Sequence, residues 1–132
     1  MIRMLVSMAS AALLILAAAI SPDWSRAQTV TVIETEYQFD PNRLTFRVGV
    51  PYRLHFENRG TELHEFTAPA FLKSIERGSP DPVNREGTEI ALQPGEKADL
   101  YFVPRQPGRY PFICADHDWA GMTGEIVIDP SP

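Results

Sequence analysis

The stretch "RYPFICADHDWAGMTGEIVI", residues 109–128, decides the fold and contains the closest grouping of potential metal ligands in the chain. Apolar and polar residues alternate at both of its ends, which is the period-2 pattern of half-buried β-strands. The only cysteine of the protein, Cys114, ends the first of these strands. His117 follows three residues later, and Met122 follows five residues after that. The stretch therefore predicts a strand–loop–strand unit with potential metal ligands gathered around its loop.

The same alternation recurs upstream, separated by turns that contain glycine or proline. Further strands are predicted at residues 30–35, 43–48, 52–57, 62–66, 89–92 and 98–103. Between them, residues 67–88 are irregular, with a short helix predicted at residues 71–77 and ended by Gly78 and Pro80. About seven or eight short strands at this spacing predict an all-β fold, an antiparallel Greek-key β-sandwich or barrel.

The N-terminus has the features of a secretory signal. Residues 1–20 place Arg3 before an apolar run, and Ser25 and Ala27 form a small-x-small cleavage site before Gln28. This pattern predicts a Sec-type signal peptide at residues 1–27, one domain at residues 28–132, and a periplasmic location. An uncleaved N-terminal anchor is the alternative.

Charge and cysteine content narrow the range of functions. The chain has 12 basic and 17 acidic residues, a net charge of −5, which disfavours nucleic acid and anionic membrane surfaces as partners. One cysteine excludes an internal disulfide, and a lone thiol in an oxidising compartment is prone to oxidation. We therefore expect the Cys114 thiol to be bound to another group and not free.

The residue types near Cys114 favour copper. Thiolate and thioether are soft ligands and imidazole suits copper, and two His with one Cys and a weak axial Met describe a blue-copper site. The chain has 3 histidines, so only His55 and His64 can complete the set. In the strand at residues 52–57, His55 lies on the polar face, whereas His64 shares a face with Phe66. His64 is therefore the second candidate histidine ligand, and His55 is predicted to be a surface residue.

Other interpretations of these residues remain open at this level. Cys114 can be a buried core thiol, His117 a loop residue and Met122 a core side chain. Zinc also binds Cys and His, although its structural sites usually contain more cysteines. A Cys–His nucleophile pair would need a third orienting group, and the sequence shows no evident one.

The segments "YPFICADHDWAGMTGEIVI" and "YQFDPNRLTFRVGVPYRLHFENRGTELHEF" resemble the small blue copper proteins, or cupredoxins. The C-x2-H-x4-M spacing is that of the plastocyanin, amicyanin and pseudoazurin branch, and the likeness extends to bacterial cupredoxin-like domains. The resemblance implies a cupredoxin fold and one type 1 copper ion, Cu(II)/Cu(I). His64, Cys114 and His117 would be its strong ligands and Met122 its weak axial ligand.

Two features depart from that family. Glu65 follows the first histidine where many relatives have Asn, and Asp116 and Asp118 flank His117. Carboxylates beside the site would favour the more positive state of the metal.

The resemblance implies a periplasmic electron carrier and no enzymatic activity. Its expected partners are redox proteins, such as a c-type cytochrome or a periplasmic reductase or oxidase. We expect a monomer without stable membrane insertion after cleavage. Exposed Trp119, Ala120 and Gly121 would form a docking patch beside His117. The alternative function is a copper-binding module for delivery, storage or resistance, or an accessory to metal uptake.

Overall fold

The computed structural model describes residues 12–16 and 20–131. Within these residues the chain forms ten strands and one short α-helix. In chain order these are β1 (Gln28–Thr35), β2 (Gln38–Asp40), β3 (Arg43–Arg47), β4 (Tyr52–Asn58), β5 (His64–Thr67), α1 (Pro69–Ser74), β6 (Ile75–Arg77), β7 (Glu89–Leu92), β8 (Lys97–Pro104), β9 (Gly108–Ile113) and β10 (Thr123–Asp129).

The strands form two five-stranded sheets, with the orders β2-β1-β4-β8-β6 and β3-β10-β9-β5-β7. The predicted all-β sandwich is confirmed. Its pairing is mixed, however, because β1 runs parallel to β4 and β10 runs parallel to β3, while the other pairs are antiparallel. Both parallel pairs join strands that are separated by at least one other strand, so local patterning gives no sign of them.

Aromatic side chains from both sheets fill the space between them. All seven phenylalanines of the chain are buried, none more than 3% exposed. Many of their rings meet edge to face, for example Phe46 with Phe102 and Phe39 with Phe112, each pair with centroids 5.0 Å apart. Burying one such side chain stabilises the fold by about 1.5–3 kcal/mol. The core therefore gives the site a rigid support.

The irregular segment and the shortest strands differ from prediction. The helix was predicted at residues 71–77, but α1 is Pro69–Ser74 and the chain continues into β6. Proline at the start of α1 suits the first helical turn, where its missing N–H is not needed. Strands β2 and β6 were not predicted, since each has only three residues and is defined by its neighbour.

At the N-terminal end, β1 begins at Gln28. Residues 1–11 and 17–19 of the predicted signal segment lie outside the described residues, and its cleavage stays a prediction. Among the described residues, no helix has both the length and the apolar character needed to cross a membrane.

Candidate metal centre

Three predicted ligands meet at one end of the sandwich. His64 begins β5, Cys114 follows β9 directly, and His117 lies in the loop between β9 and β10. Cys114 Sγ lies 3.9 Å from His64 Nδ1 and 3.4 Å from His117 Nδ1, and all three atoms lie within 4.8 Å of one another. His64 and Cys114 are fully buried, and the His117 side chain is 12% exposed.

This spacing fits one metal ion bound between the three atoms. With bond lengths of about 2.0 Å to nitrogen and about 2.3 Å to sulfur, trigonal coordination places a sulfur and a nitrogen donor roughly 3.7 Å apart. The two Sγ–Nδ1 distances, 3.9 and 3.4 Å, are close to that value. One soft thiol with two imidazoles is also a donor set that copper prefers. The residues present therefore fit the metal.

Backbone hydrogen bonds fix the loop that carries two of these ligands. The Cys114 N–H donates to Met122 O at 2.9 Å and closes the loop. Inside it, the His117 N–H donates to Cys114 O at 3.1 Å, and a 3-10 turn follows at Asp118–Ala120. Gly121 ends that turn at φ +82°, a backbone conformation that favours glycine. Hydrogen bonds within its own backbone therefore fix the conformation of the loop.

The other two residues considered in the sequence lie where the strand pattern places them. Met122 is fully buried at the base of the loop, next to β10; its role as a ligand stays a prediction. His55 lies on the outer face of β4, away from the cluster. It is less exposed than a plain surface residue, since its side chain is 16% exposed and contacts Asp99 at 2.6 Å and Glu57 at 3.0 Å.

The far side of each imidazole faces a carboxylate. His64 Nε2 lies 3.1 Å from Glu36 Oε1, and His117 Nε2 lies 3.3 Å from Glu62 Oε2. A proton on Nε2 would donate to that carboxylate and leave the Nδ1 lone pair directed at the metal position. Carboxylates so placed fix the tautomer and the orientation of the ring.

The turn between β4 and β5 brings the first of these carboxylates into place. Asn58, which is buried, donates to Glu62 O and Leu92 O at 2.8 Å each and accepts from the Gly60 N–H. Glu36 Oε1 accepts from the Thr61 and Glu62 N–H groups. A Cβ at Gly60 would overlap the Glu36 carboxylate. Glycine at this position therefore lets Glu36 reach His64.

Glu65 lies against the cysteine sulfur. Its N–H donates to Cys114 Sγ at 3.5 Å, and its carboxylate Oε2 lies 3.1 Å from the same sulfur. The same oxygen accepts from the Asp116 N–H at 3.4 Å. Glu65 thus ties β5 to the ligand loop through an ionisable side chain.

Burial and a nearby carboxyl raise the pKa values of two groups in this part of the core, Cys114 and Glu34. Burial, with the neighbouring Glu65 carboxyl, raises the pKa of the Cys114 thiol to about 11. Glu34 is fully buried, and among the described residues neither of its carboxyl oxygens has a hydrogen-bond partner. The pKa of Glu34 is raised to about 8, mainly by burial and to a smaller extent by the charge of Glu65. Metal binding must therefore displace a proton from the thiol.

Sequence analysis did not identify Glu34, Glu36 or Glu62 as residues of this site. Glu34 had a visible signal, because it continues the inward face of β1 after Val30 and Val32, where a carboxylate is unexpected. Glu36 lies in the turn between β1 and β2 and Glu62 in the turn after β4. Turn residues carry no periodicity, so no pattern in the sequence aims them at the histidines.

The chain is thus a two-sheet β-sandwich with a Cys–His–His cluster at one end, and the donor atoms of that cluster can hold a single metal ion. The cupredoxin-like domain model matches residues 6–128, so the chain belongs to the cupredoxin-like family. No curated protein has a detectable sequence match to the chain.

Solved structures share the fold at low sequence identity. Auracyanin B is 23% identical, with a TM-score of 0.60 over 84% of this chain and 94% of that chain. Dithionite-reduced auracyanin from the photosynthetic bacterium Roseiflexus castenholzii is 21% identical, with a TM-score of 0.59 over 79% and 98%. The metal-binding domain of the Cu(I)-exporting P-type ATPase CopA of Streptococcus pneumoniae D39, with Cu(I), is 18% identical, with a TM-score of 0.52 over 82% and 90%.

Proposed function

We propose that the protein is a type 1 copper protein that carries single electrons between redox partners. The observation that carries this proposal is the cluster of one thiol and two imidazoles whose donor atoms lie within 4.8 Å of one another. That donor set suits copper and is that of blue-copper electron-transfer sites. Copper bound there would supply one-electron chemistry through its Cu(II) and Cu(I) states.

The proposed ligands are His64, Cys114 and His117, with Met122 as the weak axial ligand. The first three are brought together by two strands and one loop. Met122 is fully buried, and its backbone oxygen accepts from the Cys114 N–H, so the residue lies next to the proposed ligand Cys114. A thioether at that position would tune the site more than it would hold the metal.

The surroundings of the cluster support electron transfer over metal exchange. Glu36 and Glu62 hold the two imidazoles from outside, and Glu65 holds the ligand loop against β5. Such contacts fix the orientation of the ligand rings. A site fixed in this way changes oxidation state with little rearrangement, whereas delivery to an acceptor needs ligands that can move.

We further propose a periplasmic location, no enzymatic activity and a monomeric state. Its partners are redox proteins, such as a c-type cytochrome or a periplasmic reductase or oxidase. Intact mass of the protein recovered from the periplasm tests the location, because cleavage after Ala27 leaves Gln28 as the first residue. A protein that retains Met1 and sediments with membranes would contradict it.

A copper-delivery module is the second candidate function. It is favoured by the fold shared with the metal-binding domain of a Cu(I)-exporting ATPase, solved with Cu(I). Storage, copper resistance and assistance to metal uptake belong to the same class, since each needs binding and release and no redox cycling.

Optical redox titration of the copper-loaded protein separates the two candidates. An electron carrier is expected to show an intense visible thiolate-to-copper band, which disappears on one-electron reduction and returns fully on oxidation. Cys114→Ser should remove the band, because the thiolate is its donor. A protein that binds Cu(I) without a reversible couple, and passes it to a Cu(I) chelator within seconds, would contradict the carrier role and support delivery.

A further inference from the structure

The aromatic ring of Tyr37 packs against the ring of His117. The two ring centroids lie 4.7 Å apart at an interplanar angle of 38°. Although His117 lies in a loop at the end of the sandwich, its side chain is only 12% exposed, whereas Tyr37 is 37% exposed. Rings this close are in van der Waals contact, so Tyr37 shields one side of the imidazole from solvent.

The Tyr37 hydroxyl is linked to the same histidine through Glu62. The hydroxyl donates a hydrogen bond to the Glu62 carboxylate, and this bond raises the pKa of Tyr37. Glu62 Oε2 in turn lies 3.3 Å from His117 Nε2. The Glu62 backbone is held as well, because its N–H donates to Glu36 Oε1 at 2.9 Å and its carbonyl accepts from Asn58 at 2.8 Å. Each of Tyr37, Glu62 and His117 therefore contacts the other two.

The two histidines of the centre differ in what fixes their rings. His64 is fully buried and pairs with Leu92 of the neighbouring strand. His117 lies in the loop between β9 and β10, immediately before a 3-10 turn. The χ2 torsion of a histidine is soft, so the backbone position alone does not set the direction of Nδ1. The Glu62 side chain is 46% exposed, and a contact with such a carboxylate is weak when it acts alone. The orientation of the His117 ring therefore depends on the contact with Tyr37.

Tyr37 projects from a turn whose backbone is fixed. The turn joins the antiparallel strands β1 and β2. Glu36 precedes Tyr37 in this turn and accepts a hydrogen bond from the Thr61 N–H. The same carboxylate oxygen lies 3.1 Å from His64 Nε2. Two adjacent residues of one turn thus contact both imidazoles of the centre from outside.

We propose that Tyr37 is a positioning residue of the metal centre, which holds the His117 imidazole in its metal-binding orientation and slows the release of bound metal. A bound ion leaves when its ligands turn away, and a ligand in a loop turns more freely than a ligand in a sheet. The Tyr37 ring opposes that rotation by contact, and its hydroxyl opposes it by orienting Glu62. The inference rests on the proposed function, because it concerns a proposed copper ligand, but it does not depend on redox cycling.

NMR relaxation of ¹³C-labelled histidine rings measures this positioning in the metal-free, reduced protein. The order parameter of a rigid group is about 0.85, and that of a flexible group is below about 0.6. We expect the rings of His64 and His117 to be rigid in the wild-type protein. Tyr37→Leu should bring the His117 ring below about 0.6 and leave the His64 ring unchanged. Because Tyr37 is 37% exposed, we expect its replacement to leave the protein folded.

Tyr101→Leu is the matched control. Tyr101 lies in β8, pairs with Arg53 of β4 and contacts the Trp24 ring, with centroids 6.1 Å apart. The substitution removes the same side chain from a position outside the metal centre, so both histidine rings should stay as ordered as in the wild-type protein. Equal disorder of the His117 ring in Tyr37→Leu and Tyr101→Leu would assign the effect to general loosening of the fold and would refute the proposal.

Release of Co(II) to excess EDTA provides the second measurement. Co(II) can use the same thiolate and imidazole donors, and its thiolate absorption reports occupancy of the site without redox chemistry. Tyr37→Leu should release the ion about tenfold faster than the wild-type protein, and Tyr101→Leu should stay within about twofold of it. An unchanged rate in Tyr37→Leu would overturn the proposal.

A double-mutant cycle tests the role of the Tyr37 hydroxyl. Tyr37→Phe keeps the ring and removes the link to Glu62, so it should release Co(II) about threefold faster than the wild-type protein. In a Glu62→Ala background the same substitution should change the rate by less than about 1.5-fold, since no carboxylate is left to orient. Equal acceleration in both backgrounds would contradict the proposal that the hydroxyl acts through Glu62.

These outcomes are distinct from those that test the proposed function. If the copper-loaded protein shows no reversible couple, the carrier function fails, while the ring order and the Co(II) release rate still decide the role of Tyr37. If the His117 ring is as ordered in Tyr37→Leu as in the wild-type protein, the positioning role is excluded even when the couple is reversible.

Discussion

Glu34→Gln is expected to change how the stability of the protein depends on pH. The Glu34 side chain is fully buried, and both carboxyl oxygens lack hydrogen-bond partners among the described residues. Burial and the Glu65 charge raise the pKa of Glu34 from 4.5 to about 8. Between these two values the folded protein keeps a proton that the unfolded chain has lost. Stability therefore falls as pH rises through this window.

The size of the effect follows from the two pKa values. A pKa difference of about 3.5, at 1.36 kcal/mol for each pH unit, corresponds to about 5 kcal/mol, lost progressively between pH 4.5 and pH 8. Below pH 4.5 both states are protonated, and above pH 8 both are ionised, so the contribution is constant outside the window. Glutamine keeps the shape and cannot ionise. Relative to wild type, Glu34→Gln should therefore gain up to about 5 kcal/mol between pH 4.5 and pH 9.

Urea unfolding of the metal-free, reduced protein at intervals from pH 4.5 to pH 9 measures this difference. The quantity compared is the variant-minus-wild-type free energy of unfolding, in which all other titrations cancel. Glu76→Gln is the control, because Glu76 is an exposed carboxyl paired with Arg105, and its difference should stay flat. If the Glu34→Gln difference also varied by less than about 1 kcal/mol across the range, the reasoning from burial would be refuted.

Substitutions at three further positions test the metal centre. Met122→Leu should keep the copper and its visible band while the reduction potential rises, and Met122→Gln should lower it; loss of copper from Met122→Leu would favour a Cu(I)-delivery site. Gly60→Ala should displace Glu36 from His64 and weaken copper binding roughly 10- to 100-fold, measured by competition with a chelator. Unchanged copper affinity would show that Glu36 does not support the metal site. His55→Ala should leave the visible spectrum unchanged and lower the free energy of unfolding by about 1 kcal/mol, and a changed spectrum would contradict the choice of His64.

Period-2 alternation predicted most of the fold because one face of each longer strand is buried. It gave eight of the ten strands and also placed His64 inward and His55 outward. It failed for β2 and β6, since three residues are too few to show a period. The parallel pairs β1–β4 and β3–β10 were also missed, because they are set by how distant strands meet in the two sheets.

The candidate site was likewise predicted only in part from the sequence. The sequence brings Cys114 and His117 together, because they are three residues apart on one loop, and the face of β5 adds His64. The groups that hold these ligands come from elsewhere: Glu36 and Tyr37 belong to the β1–β2 turn. Their contacts with the histidines depend on how that turn packs over the end of the sandwich. No local pattern encodes such packing.

The central claim is that one copper ion is bound by His64, Cys114 and His117. Anomalous diffraction at the copper absorption edge, from crystals of the copper-loaded protein, tests it most directly. The account predicts a single strong peak within about 2.0–2.3 Å of Cys114 Sγ and the two Nδ1 atoms, with the Met122 thioether on its axial side. A peak elsewhere, for example between His55 and Asp99, or ligation through the imidazole Nε2 atoms, would contradict it.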